Sequence, residues 1–447
     1  MDTTPAAATG DPYAGRGYRY YALTLLMTAY VFNFIDRQIL AILQEPIKAE
    51  LGLSDTQLGL LTGFAFALFY VVMGLPIARW ADRGVRRDIV ALAVGVWSLF
   101  TALSGLVTSY LQLLLVRIGV GVGEAGCSPP AHSMISDTFP PGERATALGT
   151  YNMGVNIGIL FGFLAGGWLN EFFGWRVAFF AVGIPGVLLA VVLRLTLAEP
   201  PRGRFDPPRP TAGDDPHPTT RAVLNHLWRL HTFRHMAAAT ALLGFAGYGL
   251  LNWLPSFFIR VHQLGTGTVG TWFALIIGLG GAIATVLTGY LADRFGKRDA
   301  RWYPWVTAIA MGVTLPLNIG VFVADSSVLA LICYIFPGAV CAAYVAPIIA
   351  VTHGLVENRM RALSSAIVFL VLNLIGLGLG PLAIGIISDA LAPSLGSDSL
   401  RYALLATVPA TTVWGVAHLL LAARHIRGEM APVNGKSARH PPPKWSR

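Results

Sequence analysis

Four ionisable side chains stand inside stretches that are otherwise apolar: Asp36, Arg37, Arg117 and Glu124. At the centre of a membrane span such a group costs at least about 2.5–3.5 kcal/mol on insertion scales, so each must face protein or water. A carboxyl that alternates between water and a low-dielectric interior takes up and releases a proton. That gives Asp36 and Glu124 a proton-coupling role. A guanidinium in a closed site offers a forked donor for phosphate or carboxylate, which suits Arg37 and Arg117 to an anionic head group. Arg117 and Glu124 are seven apart, on one helix face and about 10 Å apart along its axis. Gly119, Gly121, Gly123 and Gly126 beside them allow close helix approach and local bending. Arg37 is adjacent to Asp36 and cannot share its direction. The alternative is an interhelical ion-pair cluster that only locks this part of the chain.

The surroundings require a membrane. Of 447 residues, 54% are hydrophobic and only 12% charged, against roughly a quarter charged in soluble domains. Twelve apolar stretches are long enough to span a bilayer. They divide the chain into a tail at 1–19, a six-helix unit at 20–198, a Pro-rich polar linker at 199–233, a second six-helix unit at 234–423 and a basic, disordered tail at 424–447. The loops on one side, with both tails and the linker, carry 26 of the 32 Lys and Arg. The opposite side carries Lys48, Arg176, Arg260 and Arg401, and its acids Glu45, Glu50 and Asp55 read as a solvated loop. The excess of positive charge predicts that both termini are cytoplasmic. It also accounts for the net charge of +9 without nucleic acid. Few lysines and no Asn-x-Ser/Thr site lean towards a bacterial inner membrane. Cys127, Cys333 and Cys341 form no disulfide framework or metal site.

The two units repeat. ADRGVRRD at 81–88 returns as ADRFGKRD at 292–299, and Arg144-Ala145 with Asn156 returns as Arg361-Ala362 with Asn373. A duplicated six-helix unit is an arrangement known from transporter folds.

GYLADRFGKR at 289–298 is similar to the signature loop of the major facilitator superfamily. ARWADRGVRR at 78–87 departs from it, with Ala78 in place of the first Gly and the second Gly moved to Gly84. Asn33-x-x-Asp36-Arg37 and Arg117 followed by Gly123-Glu124-Ala125 resemble the Spinster-like branch, whose members move lysophospholipids and sphingosine phosphate. The resemblance implies an all-α membrane protein of twelve helices in two pseudo-symmetric bundles. Helices 1, 4, 7 and 10 would line a central cavity, with all four charges brought together. It also implies gating by the loops, Asp82, Arg83, Arg86 and Arg87 with Asp293, Arg294, Lys297 and Arg298. Asp82 would pair with a basic residue such as Arg144. The other reading of these charges is topological.

Helices 7 and 10 carry no charge within their spans. Asn33, Tyr248, Asn252, Trp253, Tyr334 and Tyr344, with Phe336, are the expected lining. Charge on one wall and apolar groups on the other suit an amphiphilic lipid, moved with protons by a monomer. The alternatives are a small organic anion or a drug, or a receptor that transports nothing. No phosphate-cradling GxxxxGK[ST] occurs, and no cofactor, metal or enzymatic triad is expected.

Overall fold

The computed structural model describes residues 12–205 and 219–430, except the side chain of Asn358. Residues 1–11 of the tail expected at 1–19, 206–218 of the linker expected at 199–233 and 431–447 of the tail expected at 424–447 lie outside the described residues. Eleven segments are long and apolar enough to cross a membrane, and the last contains two crossings. The helices are α1 (Arg16–Leu51), α2 (Asp55–Arg83), α3 (Arg86–Ser104), α4 (Tyr110–Thr138), α5 (Pro141–Phe173), α6 (Trp175–Thr196), α7 (His231–Arg260), α8 (Thr266–Gly296), α9 (Trp302–Val323), α10 (Ser327–Gly354), α11 (361–395) and α12 (Ser399–Glu429). Gly396, in a positive-φ conformation, separates the last two. No strand occurs among the described residues.

Two expectations change. The stretch expected as a polar linker contains a helix, Thr220–Arg229, capped by the Thr219 hydroxyl, with Val223 and Leu227 buried against α7 and α11. The helical path of α12 runs past Arg424 to Glu429, because Ile426 is buried and Glu429 caps the start of α7 by accepting from the His231 and Thr232 amides at 2.9 and 2.8 Å.

Packing repeats with the sequence. α1 lies on α5, and α3 on α4 and α6; likewise α7 lies on α11, and α9 on α10 and α12. The two halves meet through exchanged pairs, α2 with α11 and α5 with α8. This is the pattern of a pseudo-two-fold axis.

Call the end with the chain termini the near face and the other the far face. The halves touch on the far face because glycines remove the side chains there. A Cβ at Gly59 would lie 2.5 Å from the Pro381 carbonyl oxygen. One at Gly167 would lie 2.4 Å from that of Thr266, and one at Gly270 2.3 Å from that of Phe163. Near the other face, Gly74 of α2, Gly149 of α5 and Gly289 of α8 have nothing within 4 Å. The crossings in α2, α8 and α11 include π-helical turns at Leu60–Phe64, Ala274–Gly280 and Leu372–Leu379, a feature often found at functional sites.

An ionic latch caps the far face. Arg260 of α7 donates to Glu45 of α1 at 2.7 and 3.2 Å and to Asp55 of α2 at 2.7 and 2.8 Å. Lys48 pairs with Asp55 as well, and the Ser388 hydroxyl of α11 donates to it at 2.6 Å. Asp389 of α11 accepts from the Asp55 and Thr56 amides at 3.0 and 2.7 Å. One half thus caps a helix N-terminus of the other, where its dipole favours an acid. Asp55 is 2% exposed, and Glu50 takes Arg176 and the Trp175 indole. The solvated loop expected at 45–55 is therefore a bonded one.

At the near face, Asp299 accepts from Arg427 at 2.6 and 3.1 Å. That pair, with Arg301, holds its carboxyl down at about 2. Its contribution is full above the ordinary carboxylate range near pH 4 and is lost as pH falls through about 2. Hydrogen exchange of the α12 C-terminus, taken relative to its intrinsic rate at each pH, should therefore stay unchanged from neutral pH down to about pH 4. Asp299→Asn should raise it at neutral pH, and exchange equal to the parent would contradict the tie.

Gly270→Ala and Arg260→Ala should each populate a state open at the far face. Spin labels at Thr108 and Ser394 would gain a longer-distance component. A distribution identical to that of the parent would mean that neither the glycine contact nor the latch holds the face shut.

Candidate functional site

The halves enclose a pocket of ≈ 450 Å³, its open mouth included. Phe34, Arg37 and Gln38 of α1, Thr62 and Phe66 of α2, Arg117 of α4, Tyr248, Leu251 and Asn252 of α7 and Leu377 of α11 line it. α10 does not contribute to this lining, whereas α2 and α11 do, because the far-face crossing brings them over the site.

α4 places the acid. Gly119 faces the Phe100 ring, Gly123 meets the Trp97 amide and Gly126 meets Ala93, so α4 adds no side chain of its own at these three contacts with α3. Gly121 faces the Phe66 carbonyl of α2 in the same way. The regular helix ends at Glu124 and resumes at Ser128. Pro129 and Pro130 lack the amides that would continue the ladder, which forces the break. Glu124 therefore sits at a helix end, 1% exposed.

Arg37 Nε donates to Glu124 Oε2 at 2.7 Å. Its guanidinium lies 5.1, 5.0 and 5.1 Å from the Phe34, Phe66 and Tyr70 ring centroids, an aromatic cage that favours a cation. Arg117 lies 5.5 Å from the Phe66 ring, and its Nε makes no hydrogen bond. Glu124 thus pairs across to α1 rather than along its own helix. Asp36, 1% exposed, turns away from the pocket, and neither of its oxygens has a hydrogen-bond partner. Its electrostatic neighbours are Glu124, Arg117 and the Thr101 hydroxyl. The Glu124 Oε1 atom is also unpartnered. The four charges do come together: one cation is paired, one free to bind, and one acid unbonded.

The expected lining divides. Tyr248 and Asn252 face the pocket. Asn33 is 1% exposed behind it, approaching Glu124 without a formed bond. Trp253 is fully buried because its indole donates to the Pro381 carbonyl at 2.7 Å, tying α7 to α11. Tyr334 packs against Phe273 at 5.2 Å, and Tyr344 is in the second half's core. Phe336 is 39% exposed. Phe34, Gln38, Thr62, Phe66, Leu251 and Leu377 were missed. The spacing of Phe34, Arg37 and Gln38 at i, i+3 and i+4 carried the signal for α1.

Among the described residues, the near-face loops bridge no halves. Asp82 and Arg83 are exposed, and Arg144 Nε has no partner. Asp293 accepts from Tyr303 within its own half at 3.3 Å. Arg294 donates to Tyr290 at 2.9 Å, and Lys297 and Arg298 are exposed. Arg87 pairs with its neighbour Asp88 at 2.7 Å. Arg86 alone is buried, bonded to Asp137, to Glu199 at 2.7 Å and to the Pro200 carbonyl at 2.7 Å. It fixes α3 to the end of α4 and to the start of the linker.

A family model described as Major Facilitator Superfamily matches residues 26–318. An MFS-type efflux pump of Mycolicibacterium smegmatis is 34% identical over 95% of this chain and 98% of its own. The chain belongs to the Major Facilitator Superfamily. Within it, the chain is of the Spinster-like branch. A solved bacterial homologue of the human lysosomal transporter Spinster, in an inward-facing and unoccupied conformation, superposes with a TM-score of 0.83 at 32% identity. That match covers 94% of this chain and all of the other. Protein spinster homolog 1 of Xenopus tropicalis is 28% identical over 88% of this chain and 78% of its own. The twelve-helix fold of two bundles is that of the family, and the chain is an integral multi-pass membrane transporter.

Removing one member of a buried pair strands the other charge, at a cost of about 3–5 kcal/mol. Arg37→Ala should therefore lower the melting temperature of the purified protein, and adding Glu124→Gln should restore most of it. If Arg37→Ala alone melts like the parent, the pair does not anchor α1 to α4.

Proposed function

We propose that this is a secondary active transporter working by alternating access, in which a proton and an anionic substrate share one occupied state. The observation that carries the reading is the 2.7 Å bond between Arg37 and Glu124 at the wall of the pocket between the halves. A substrate anion and the Glu124 carboxylate compete for the same guanidinium. Protonation of Glu124 releases Arg37, and the free cation of Arg117 supplies the second arm of the anion site. Asp36 is the second proton site, exchanging with Glu124 through the buried layer they share. The near face, rich in Arg, is cytoplasmic by the positive-inside rule, in a bacterial inner membrane, and the carrier acts as a monomer. The open glycines near that face and the latch on the far one then describe a carrier open to the cytoplasm. In the opposite state, Asp82 and Asp293 and the basic residues around them close the near face.

The substrate read from the pocket is a lysophospholipid or a sphingosine-phosphate-like amphiphile. Its charged head sits on Arg37 and Arg117, and its chain runs along Phe34, Phe66, Leu251 and Leu377. Each buried methylene contributes about 0.8 kcal/mol before ordering costs. A second reading, a small organic anion or drug, is favoured by Gln38, Thr62 and Asn252 in the lining, which offer polar partners to a compact solute.

In proteoliposomes, competition by lysophospholipids against a fluorescent lipid analogue should strengthen with acyl length until the pocket is full. A flat response, or better competition by a short dicarboxylate, would favour the small anion. Glu124→Gln should keep the fold and lose proton-driven uptake, while Arg117→Ala should weaken binding of the lysophospholipid. Proton-driven uptake unchanged in Glu124→Gln would remove Glu124 from coupling.

A further inference from the structure

The helix Thr220–Arg229 is joined to α7 by Leu230 alone. It therefore lies level with the end of a membrane helix. Its inner side is accounted for: Val223 and Leu227 are fully buried against α7 and α11. Its outer side is not. Leu224 is 43% and Trp228 60% exposed, four residues apart and about 100° around the helix from the buried pair. Arg221 lies beside Trp228 around the helix, about 20° further from the buried pair, and Arg229 follows Trp228 in the sequence. Neither makes an ion pair among the described residues.

Apolar residues spread over about 140° of a short helix are not all covered by one protein surface, and Leu224 and Trp228 are the two left uncovered. Trp favours the boundary between hydrocarbon and head groups, and Tyr20, Trp80 and Tyr290 are exposed elsewhere on the near-face halves of α1, α2 and α8. The geometry points to a lipid-docking element. Leu224 and Trp228 enter the leaflet at the near face, and Arg221 and Arg229 hold the phosphates of anionic lipids. The charge fits the occupant, since basic residues next to a membrane helix are attracted by anionic lipids. The consequence is mechanical. The helix rests on α7 and α11, which line the pocket, so the leaflet gains a purchase on two helices of the second half. Lipid composition then biases which face is open.

The test uses the full-length protein with Cys127, Cys333 and Cys341 replaced by Ser and bimane attached at Asn225→Cys, beside Arg221 and Trp228. It is reconstituted in vesicles of phosphatidylcholine and phosphatidylglycerol. Bromine-labelled acyl chains should quench the dye, aqueous iodide should not, and brominated phosphatidylglycerol should quench about twofold more than brominated phosphatidylcholine at equal fraction. Arg221→Gln with Arg229→Gln should abolish that preference while leaving bromine quenching in place. Iodide quenching without bromine quenching would place the face in water or against a soluble partner and overturn the proposal. Equal quenching by the two brominated lipids in the parent would overturn its anionic part.

Discussion

A charge in the middle of a bilayer needs a partner, and the bond between Arg37 and Glu124 meets that need by tying α1 to α4. Much of the first half can be read as its support. The two prolines end the α4 helix at the acid, and the glycines let α3 and α2 lie close enough to bury it. Phe34, Phe66 and Tyr70 then enclose the guanidinium. The pair is also exposed to challenge, because Arg37 lines the pocket while Glu124 stands behind it. In the proposed cycle, that pair holds the empty site together and yields to an arriving anion.

The second constraint is that two rigid halves must meet without welding. Glycine contacts and a latch solve this differently. The glycines allow backbone-to-backbone approach, and at the α5–α8 contact Trp168 and Asn170 donate to Thr271 and Thr266, and the Thr266 hydroxyl and Gly267 amide donate back to the Gly167 carbonyl and Glu171. The latch concentrates specificity at Arg260 and Asp55, where several charge-assisted bonds form and break together. In the proposed cycle, the exchanged pairing of α2 with α11 and α5 with α8 lets both faces use the same helices in turn, one end closing as the other opens.

Much of this was legible in the chain. Apolar length marked twelve crossings, the two ADR motifs marked the repeat, and the four charges stood out because charge in a span is rare. What pattern could not reveal is direction. Trp253, Tyr334 and Tyr344 have lining chemistry, but their side chains turn into helix contacts that depend on the relative rotation of α7, α10 and α11. Asp55 looked like a loop acid, since its partners Arg260 and Ser388 are more than 200 residues away. The linker helix was hidden by the prolines and charges around it, although Val223 and Leu227 carry its spacing.

Central to this account is competition between the substrate anion and Glu124 for Arg37. Affinity for a fluorescent lysophosphatidylglycerol, measured on purified protein across pH, tests it most directly. Affinity should rise as pH falls, by up to about tenfold per pH unit for one linked proton, and Glu124→Gln should bind tightly with no such slope. An affinity independent of pH in the parent, or the same slope in Glu124→Gln, would contradict it.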